Sequence, residues 1–561
     1  MRKKTLILLS AVLLIGAILR FSQLGDVPIS PDWDEVALGY NAYSIIHTGR
    51  DEYGEFLPIV LRSFDDYKPA LYSYLAIPPI LVFGLNVFAV RFVSAFLGVL
   101  TILAVYFLMV ELFRKNNLKT EIKGFAIDIP LLSSFLLAIS PWHIQFSRIA
   151  FESNVGLAFN VFTALFFLKG LKKPFYLTLS AVFAALSIYV YQSEKVFTPL
   201  LVFAMAVIFR KELLSLPKKY IASAILVGLI LTAPMLSYTI TNKGALGRAK
   251  GVSIFSSSNH LLQENAKRLL VDKENSDILG LIVDNRRVLF AREVISGYLS
   301  HFDLNWLFIR GDISRHHAPN MGLMYLFELP FLLIGIYMLI FGPFSKKTKL
   351  FIFSWFLIVP IPASITSGVP HAVRTLNFLP TFQIFTAIGI LASLNFVLSI
   401  KYRVLRIRIA KLFAICYLLF AMFNFIYYLN QYFVQQNYFN ALDWQYGYEE
   451  TVAQVQKYER DYENVLVSNQ APMDQSYMFF LFYLKYPPEL YQEQSGEASG
   501  GFAENHTFGK FEFRPINWDE DRKLGDTLFV GRALDFPENS GHLFKINYPN
   551  GAPSMMIIPV K

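Results

Sequence analysis

The feature this chain can least escape is a series of apolar runs separated by short basic clusters. After residues 5–19 the runs recur at about 90–113, 126–142, 152–168, 175–191, 196–209, 220–238, 319–342, 350–366, 375–398 and 410–430. Each is near the ~20 residues that cross a hydrocarbon core as a helix. With 54% apolar residues and a mean hydropathy of +0.41, a string of soluble domains is excluded. The chain reads as an α-helical polytopic membrane protein of roughly eleven spans.

Charge tests that reading. Counting from the basic start MRKK, every second gap between spans should face the cytoplasm. Those gaps read RKNNLKTEIK (114–123), KGLKK (169–173), RKELLSLPKK (210–219), SKKTK (345–349) and KYRVLRIRIAK (401–411). All are basic, as positive-inside orientation requires. The net charge of +9 is therefore spread over loops rather than gathered on one nucleic-acid-binding surface. No small-residue cleavage site follows the first run, where RFSQLG occupies 20–25, so an uncleaved first helix is expected rather than a signal peptide. An odd span count puts the C-terminus outside. The single cysteine, Cys416, excludes an intrachain disulfide and a thiolate metal site.

Residues 70–89, ALYSYLAIPPILVFGLNVFA, would break this parity if they crossed, and the double proline at 78–79 argues against a continuous helix. They are expected to lie on the outer leaflet as interfacial helices. A membrane domain over 1–430 then carries large external loops at 23–89 and 239–318. From about 431 the composition turns polar. Helix-like stretches near 449–460 and 475–484 mix with strand-like NVLVSN (464–469), KFEFRPI (510–516), DTLFVG (526–531) and MMIIPV (555–560), which predicts a small external α/β domain over 431–561.

Chemistry is expected in the first external loop, where residues 30–69 hold Asp32, Asp34, Glu35, Asp51, Glu52, Glu55, Asp65 and Asp66 between apolar segments. Ser30 or Asp32 can cap a helix starting near Pro31, which places Asp34 and Glu35 in its first turn at the positive end of the dipole. Val36, Tyr40, Tyr43 and His47 fall on one face of that helix. A carboxylate there can take a proton from an acceptor hydroxyl or amine, while the spacing alone better suits two acids that only stabilise a helix end. Lys68, in DDYKP, suits a lipid phosphate or simple snorkelling. Arg148 in HIQFSRIAFESN and the His371/Arg374 pair in SGVPHAVRTLN face outside against the charge trend, as an anionic ligand would favour. Glu152, one turn from Arg148, offers it an ion pair instead. His316-His317 with Asp312 are possible ligands short of a full set, so no metal site is assigned, although a divalent metal stays open as a cofactor.

The uncleaved first helix, the DE pair at 34–35, KPALYSYL (68–75) and FGLNVFAVRFVSAFLG (83–98) together resemble the GT-C membrane glycosyltransferases, specifically the superfamily of protein O-mannosyltransferases and lipid A aminoarabinose transferases. The later HAVRTLNFLP (371–380) is compatible with it. The resemblance implies a polyprenyl-phosphate-linked sugar donor, transfer outside the cytoplasmic membrane to a glycan, lipid or protein acceptor, and inversion at the anomeric carbon. It maps the catalytic acids to Asp34 and Glu35, with Asp34 as base, and a donor-phosphate contact to Lys68; Arg91, where family members have an arginine, is either a phosphate contact or an interfacial anchor, and Arg148, Arg374 and His371 are the further phosphate candidates from their position. Tyr40, Asp66 and Tyr72 are candidates for acceptor or sugar contact. Relatives of the aminoarabinose type carry Glu before the lysine, where this chain has Tyr67. Two other classes compete. A transporter of a lipid-linked sugar predicts charges near the middle of spans, and a membrane-anchored binding protein predicts that function resides in the tail.

Overall fold

The computed structural model of the chain describes residues 3–114, 118–122, 125–242, 251, 253–255, 260–399, 403–495 and 504–561. Of the predicted segments, parts of the basic gaps (115–117, 123 and 401–402) and of the 239–318 loop (243–250, 252 and 256–259) lie outside the described residues.

One-turn helices aside, the membrane region consists of α1 (Lys3–Phe21), α2 (Trp33–Thr48), α3 (Leu71–Phe83), α4 (Val87–Leu112), α5 (Ile129–Ile139), α6 (Pro141–Ser147), α7 (Glu152–Gly170), α8 (Tyr176–Ile188), α9 (Glu194–Ile208) and α10 (Lys218–Thr241). Then come α11 (His260–Glu274), α12 (Ile278–Val283), α13 (Arg286–Ser300), α14 (Glu328–Phe341), α15 (Lys346–Ile358), α16 (Thr381–Ser399) and α17 (Arg403–Asn430). Among the described residues five helices are long and apolar enough to cross a membrane alone, or six if α5 and α6, bent by 60° at Ser140, count as one. That is fewer than the apolar runs predict. The others are short, like α8 with 13 residues, or carry buried polar groups, like α7 with Asn154 and Asn160. The α10 helix is apolar all round and largely exposed, the condition of a helix solvated by lipid.

Within the bundle, α14 and α16 meet backbone to backbone. A Cβ at Gly335 would lie 1.8 Å from the Phe385 carbonyl oxygen, and one at Gly389 would lie 1.9 Å from that of Phe331. Small residues let membrane helices approach this closely and gain dispersion contacts where no hydrophobic drive exists. Contrary to expectation, α3 runs unbroken through Pro78 and Pro79. Its 13 residues are too few to cross, and Leu81, Val82 and Phe83 at its end are exposed.

The tail forms a six-stranded mixed sheet from β5 (Asn464–Val467), β6 (His506–Phe508), β7 (Phe511–Phe513), β8 (Thr527–Gly531), β9 (Phe544–Asn547) and β10 (Pro553–Val560), in the order β6-β7-β5-β8-β10-β9. Two-residue strands β1 (Val60–Leu61) and β2 (Lys68–Pro69), and a hairpin of β3 (Lys119–Ile122) and β4 (Phe125–Asp128), precede it. Strand β5 is parallel to both neighbours. Alternation sorts its side chains by face. Val465, Val467, Leu528, Val530 and Ile557 join one core, while Leu466, Phe529, Met556 and Ile558 join another. The first of these cores also contains Val36, Tyr40, Leu61, Tyr72 and Val90. The sheet and the first loop are thus packed as one body.

Candidate functional site

The α2 helix starts at Trp33, two residues after Pro31, because Asp32, of the two candidates Ser30 and Asp32, is its cap. Asp32 Oδ1 accepts from the Asp34 N–H at 2.7 Å, and Glu35 Oε2 accepts from the Asp32 N–H at 3.0 Å, closing a capping box. This fixes the rotamers of the first turn and sends Asp34 and Glu35 to different surroundings.

Glu35 is 1% exposed. Oε1 accepts from Arg91 Nε at 2.9 Å and from the Ala150 N–H at 2.7 Å, and Oε2 accepts from Arg91 Nη2 at 3.0 Å. Arg91 spends its other donors on the carbonyls of Leu24, Pro28 and Ser30. A guanidinium has five N–H groups, and all are committed. This departs from two expectations, a second catalytic acid at Glu35 and a phosphate contact at Arg91, since in this structure neither has a bonding direction left. Together they latch α2 to α4 and to the turn before α7.

Arg148 is corrected in the same way. It is fully buried, and its two terminal nitrogens donate to the carbonyls of Leu19, Arg20, Gln23 and Val27 at 2.9 to 3.1 Å. Four backbone carbonyls at the end of α1 and in the turn beyond it take the donors that an anion was expected to meet. Tyr40 and Tyr72, expected as sugar or acceptor contacts, sit in the core. Their hydroxyls donate to the carbonyls of Tyr486 (3.1 Å) and Val90 (2.9 Å), and both side chains are buried. Asp66 is half-buried in the turn that leads to Lys68.

Asp34, by contrast, pairs with Lys68 across the loop, its side chain 29% exposed against 7% for the lysine. Lys68 is held by the pairing of β2 with β1, and its ammonium lies 5.7 Å from the centre of the Phe64 ring. The Gln192 side chain at the start of α9 donates to the Tyr67 carbonyl at 3.1 Å, so the lysine segment is tied to the bundle. An acid and a cation in contact at an accessible helix N-terminus are what the structure brings together from the expected set.

Facing this wall is a second one, built from residues 303–327 and 366–376. Arg315 pairs with Asp32 and lies 4.7 Å above the Trp33 ring. On either side of Arg315 in the chain are Asp312 and His316, whose Nδ1 is 3.0 Å from Asp312 Oδ2. His371 completes the group, its ring 5.0 Å from that of His316. His317, expected beside His316, instead turns its Nδ1 to the Ala318 carbonyl. Gly311 makes the turn possible: its φ is +67°, and a Cβ there would lie 2.3 Å from the His317 ring, so both backbone and space require glycine. Burial raises the Asp312 carboxyl, but His316 and the Ala372 N–H outweigh it and bring the pKa down to about 2. Burial, with His316 and Arg374 nearby, lowers His371 to about 2, leaving a neutral imidazole. Arg374 is half-buried on the same loop, with Nη1 donating to Thr366 Oγ1 (2.5 Å) and the Ser367 carbonyl (2.7 Å).

Sequence reasoning missed Arg315 and Glu194 and did not single out Glu52 from the other acids of its loop. Arg315 was hidden by its histidine neighbours. Glu52 is buried with Oε1 on Asn41 Nδ2 at 3.0 Å, and burial pushes its pKa up to about 8. Glu194, in the first turn of α9, accepts from Asn160 (2.5 Å) and Asn377 (2.7 Å), joining α7 and α9 to the segment before α16. Its signal was a lone acid opening an apolar run.

A bundle of apolar helices with an acid–lysine pair and a mixed sheet packed on the first loop defines a class: this is a multi-pass membrane protein with the GT-C fold. The solved structure of ArnT from Cupriavidus metallidurans bound to undecaprenyl phosphate superposes with a TM-score of 0.55 at 12% identity, covering 99% of this chain and 98% of that one. The apo form of the same enzyme gives 0.51 at 12% identity, with 98% and 97% covered. The archaeal oligosaccharyltransferase AglB from Archaeoglobus fulgidus, in complex with an inhibitory peptide and a dolichol-phosphate, gives 0.48 at 14% identity. It is matched over 85% of this chain, which spans 63% of that longer one. More particularly, residues 67–238 match the family model of dolichyl-phosphate-mannose-protein mannosyltransferases, a stretch that includes Lys68 and Arg91 but not Asp34. No curated protein sequence matches the chain significantly.

Proposed function

We propose that this protein is a glycosyltransferase that moves a sugar from a polyprenyl-phosphate donor to an acceptor on the external face of the cytoplasmic membrane, with inversion and with Asp34 as general base. The observation that carries the reading is the Asp34–Lys68 pair. A donor phosphate arriving at Lys68 competes with Asp34 for the ammonium, and the carboxylate is released as the leaving group is neutralised. The acceptor oxygen or nitrogen then attacks the anomeric carbon and gives its proton to Asp34. The bond from that carbon to the phosphate oxygen breaks, and polyprenyl phosphate leaves carrying the electron pair. Lys68, with Arg374 on the facing wall, supplies charge where it develops. Arg91 and Arg148, spent on internal partners, take no part.

Two further features support this reading. An apolar cavity of about 590 Å³ lies between α8, α9 and α10, lined by Ala181, Ala185, Val202 and Gly228 among others, and suits an isoprenoid chain. It reaches Ile188, next to Tyr189, whose carbonyl accepts from the Leu71 N–H at 3.2 Å, close to the lysine segment. Glu194 and Glu328 open their helices rather than sitting at mid-span, which favours an enzyme over a transporter. The core shared by sheet and first loop favours residues 431–561 as an external domain that braces the site over an independent binding module. The neighbour ArnT binds undecaprenyl phosphate, in keeping with a lipid-phosphate donor.

The test is to melt the purified full-length protein in detergent with a panel of polyprenyl-phosphate sugars and then to measure transfer from whichever stabilises it. One donor should stabilise wild type and Asp34→Asn equally, while Asp34→Asn loses turnover by ~10²-fold or more. A variant that keeps most of its activity removes Asp34 as the base. Stabilisation by no donor removes the donor class.

A further inference from the structure

We propose that Asp312, His316 and His371 form a binding site for one divalent transition-metal ion, with Zn²⁺ the best fit. One ligand atom from each side chain lies within 4.8 Å of the other two. Three donors around Zn²⁺ at ~2.0–2.1 Å would be about 3.3 Å apart, so small side-chain rotations close the set. The pair Asp312–His316, at 3.0 Å, is already there.

Two atoms of these side chains lack a partner. Asp312 Oδ1 and His371 Nδ1 are both buried and make no hydrogen bond among the described residues. An unsatisfied buried polar atom is costly, and a single cation held by the three side chains would answer both. The surrounding bonds meanwhile hold the ligands in place. The Ala372 N–H donates to Asp312 Oδ2 at 2.7 Å. The His371 N–H donates to His301 Nε2 at 3.2 Å, and the other ring nitrogen of His301, 2.7 Å from the Gly297 carbonyl, carries the proton. Outer bonds of this type set ligand orientation in metal sites. Phe146 and Phe151 flank His316 at 5.7 and 6.4 Å between ring centres and limit water on that side.

The chemistry of the set selects the metal. Two imidazoles and one carboxylate suit Zn²⁺ and its first-row neighbours, with an open fourth position. A lone carboxylate is too few oxygens for Ca²⁺ or Mg²⁺. Arg315 ties this turn to Asp32, so the ion would add positive charge to the wall opposite Asp34 and Lys68. The site stands on its own geometry and does not depend on the glycosyltransferase reading.

The experiment strips the full-length protein with EDTA in detergent, reloads it with Zn²⁺ or Co²⁺, and measures bound metal after desalting. Wild type should retain one equivalent, and the cobalt form should show the visible ligand-field absorption of a low-coordinate site. Asp312→Asn, His316→Ala and His371→Ala should each lose stoichiometric binding, while His542→Ala, at an exposed position, keeps it. His301→Ala should weaken binding by ~10- to 100-fold. X-ray absorption on zinc-loaded wild type should show two imidazoles, a reading that needs no variant to fold. Equal zinc retention by wild type and the three ligand variants, no retention by wild type, or a spectrum without imidazole overturns the site.

Discussion

The two walls of the site differ in how they are made. The first, over residues 30–69, is local: a capping box fixes Asp34, and a pair of two-residue strands fixes Lys68 seven residues after Leu61. The second joins the turn at 311–317 to the loop at 366–376, and its closest bonds, such as Ala372 N–H to Asp312, run across 60 positions of chain. A local wall depends on its own turn chemistry, whereas a wall assembled from distant segments depends on the packing of the helices that carry them. Substitutions in the first should therefore change rate, and substitutions in its supports should change stability.

The widest separation is expected between two neighbours. Asp34→Asn should cost turnover and leave melting and donor stabilisation nearly unchanged, as proposed above. Glu35→Gln should do the reverse. It leaves Arg91 buried without its counter-charge, which costs ~3–5 kcal/mol, so the purified protein should melt earlier or express poorly. The part that folds should keep its rate per molecule. If Glu35→Gln instead lowers the rate with melting unchanged, the latch is catalytic and the comparison between the two acids fails.

Lys68→Met comes next. Loss of one charged contact to the leaving phosphate should raise the donor KM by about 10- to 100-fold, from the ~1.5–3 kcal/mol of a hydrogen bond to a charged group. The acceptor KM should move less. Equal effects on both would place Lys68 as a support of Asp34 rather than a donor contact.

What the sequence made legible follows the same division. The helical membrane class, the first-turn position of Asp34 and the proximity of a KP lysine all rest on patterns within a few residues, and each has a local physical cause. The strand-like stretches at 464–469, 510–516, 526–531 and 555–560 likewise carry strands, because alternation is a local signal. Spacing could not separate Asp34 from Glu35, since the difference is made by Arg91 and Ala150, 56 and 115 positions away. Nor could it separate Arg148, wrapped in α1 carbonyls, from a ligand-facing arginine, or see that His371 rather than His317 joins His316. The double proline misled for a related reason. At residues 78–79 the missing N–H groups fall in a helix of 13 residues whose end is exposed beside apolar side chains, where neighbouring structure tolerates what an isolated helix would not.

The smallest expected effect lies under the first wall. Glu52 is 2% exposed, with Oε1 on Asn41 and Oε2 buried. Burial raises its pKa from 4.5 to about 8, Asp51 adds to the rise, and Asn41, Lys68 and Arg62 oppose it. A carboxyl whose folded pKa lies above its unfolded one stabilises the fold while protonated. That contribution is complete below pH 4.5 and is lost as pH rises through about 8. Asp51, raised by burial to about 6, acts with the same sign over a lower window. Wild type should therefore melt progressively earlier between pH 5 and pH 9, and Glu52→Gln, which keeps the Asn41 bond without a charge, should flatten the upper half of that slope. A difference of about 2 °C at the alkaline end corresponds to roughly 1 kcal/mol in a large domain. Parallel slopes for the two proteins would mean that Glu52 is ionised in the fold, with Lys68 divided between two carboxylates, and the first wall would then be held by charge rather than by a neutral hydrogen bond.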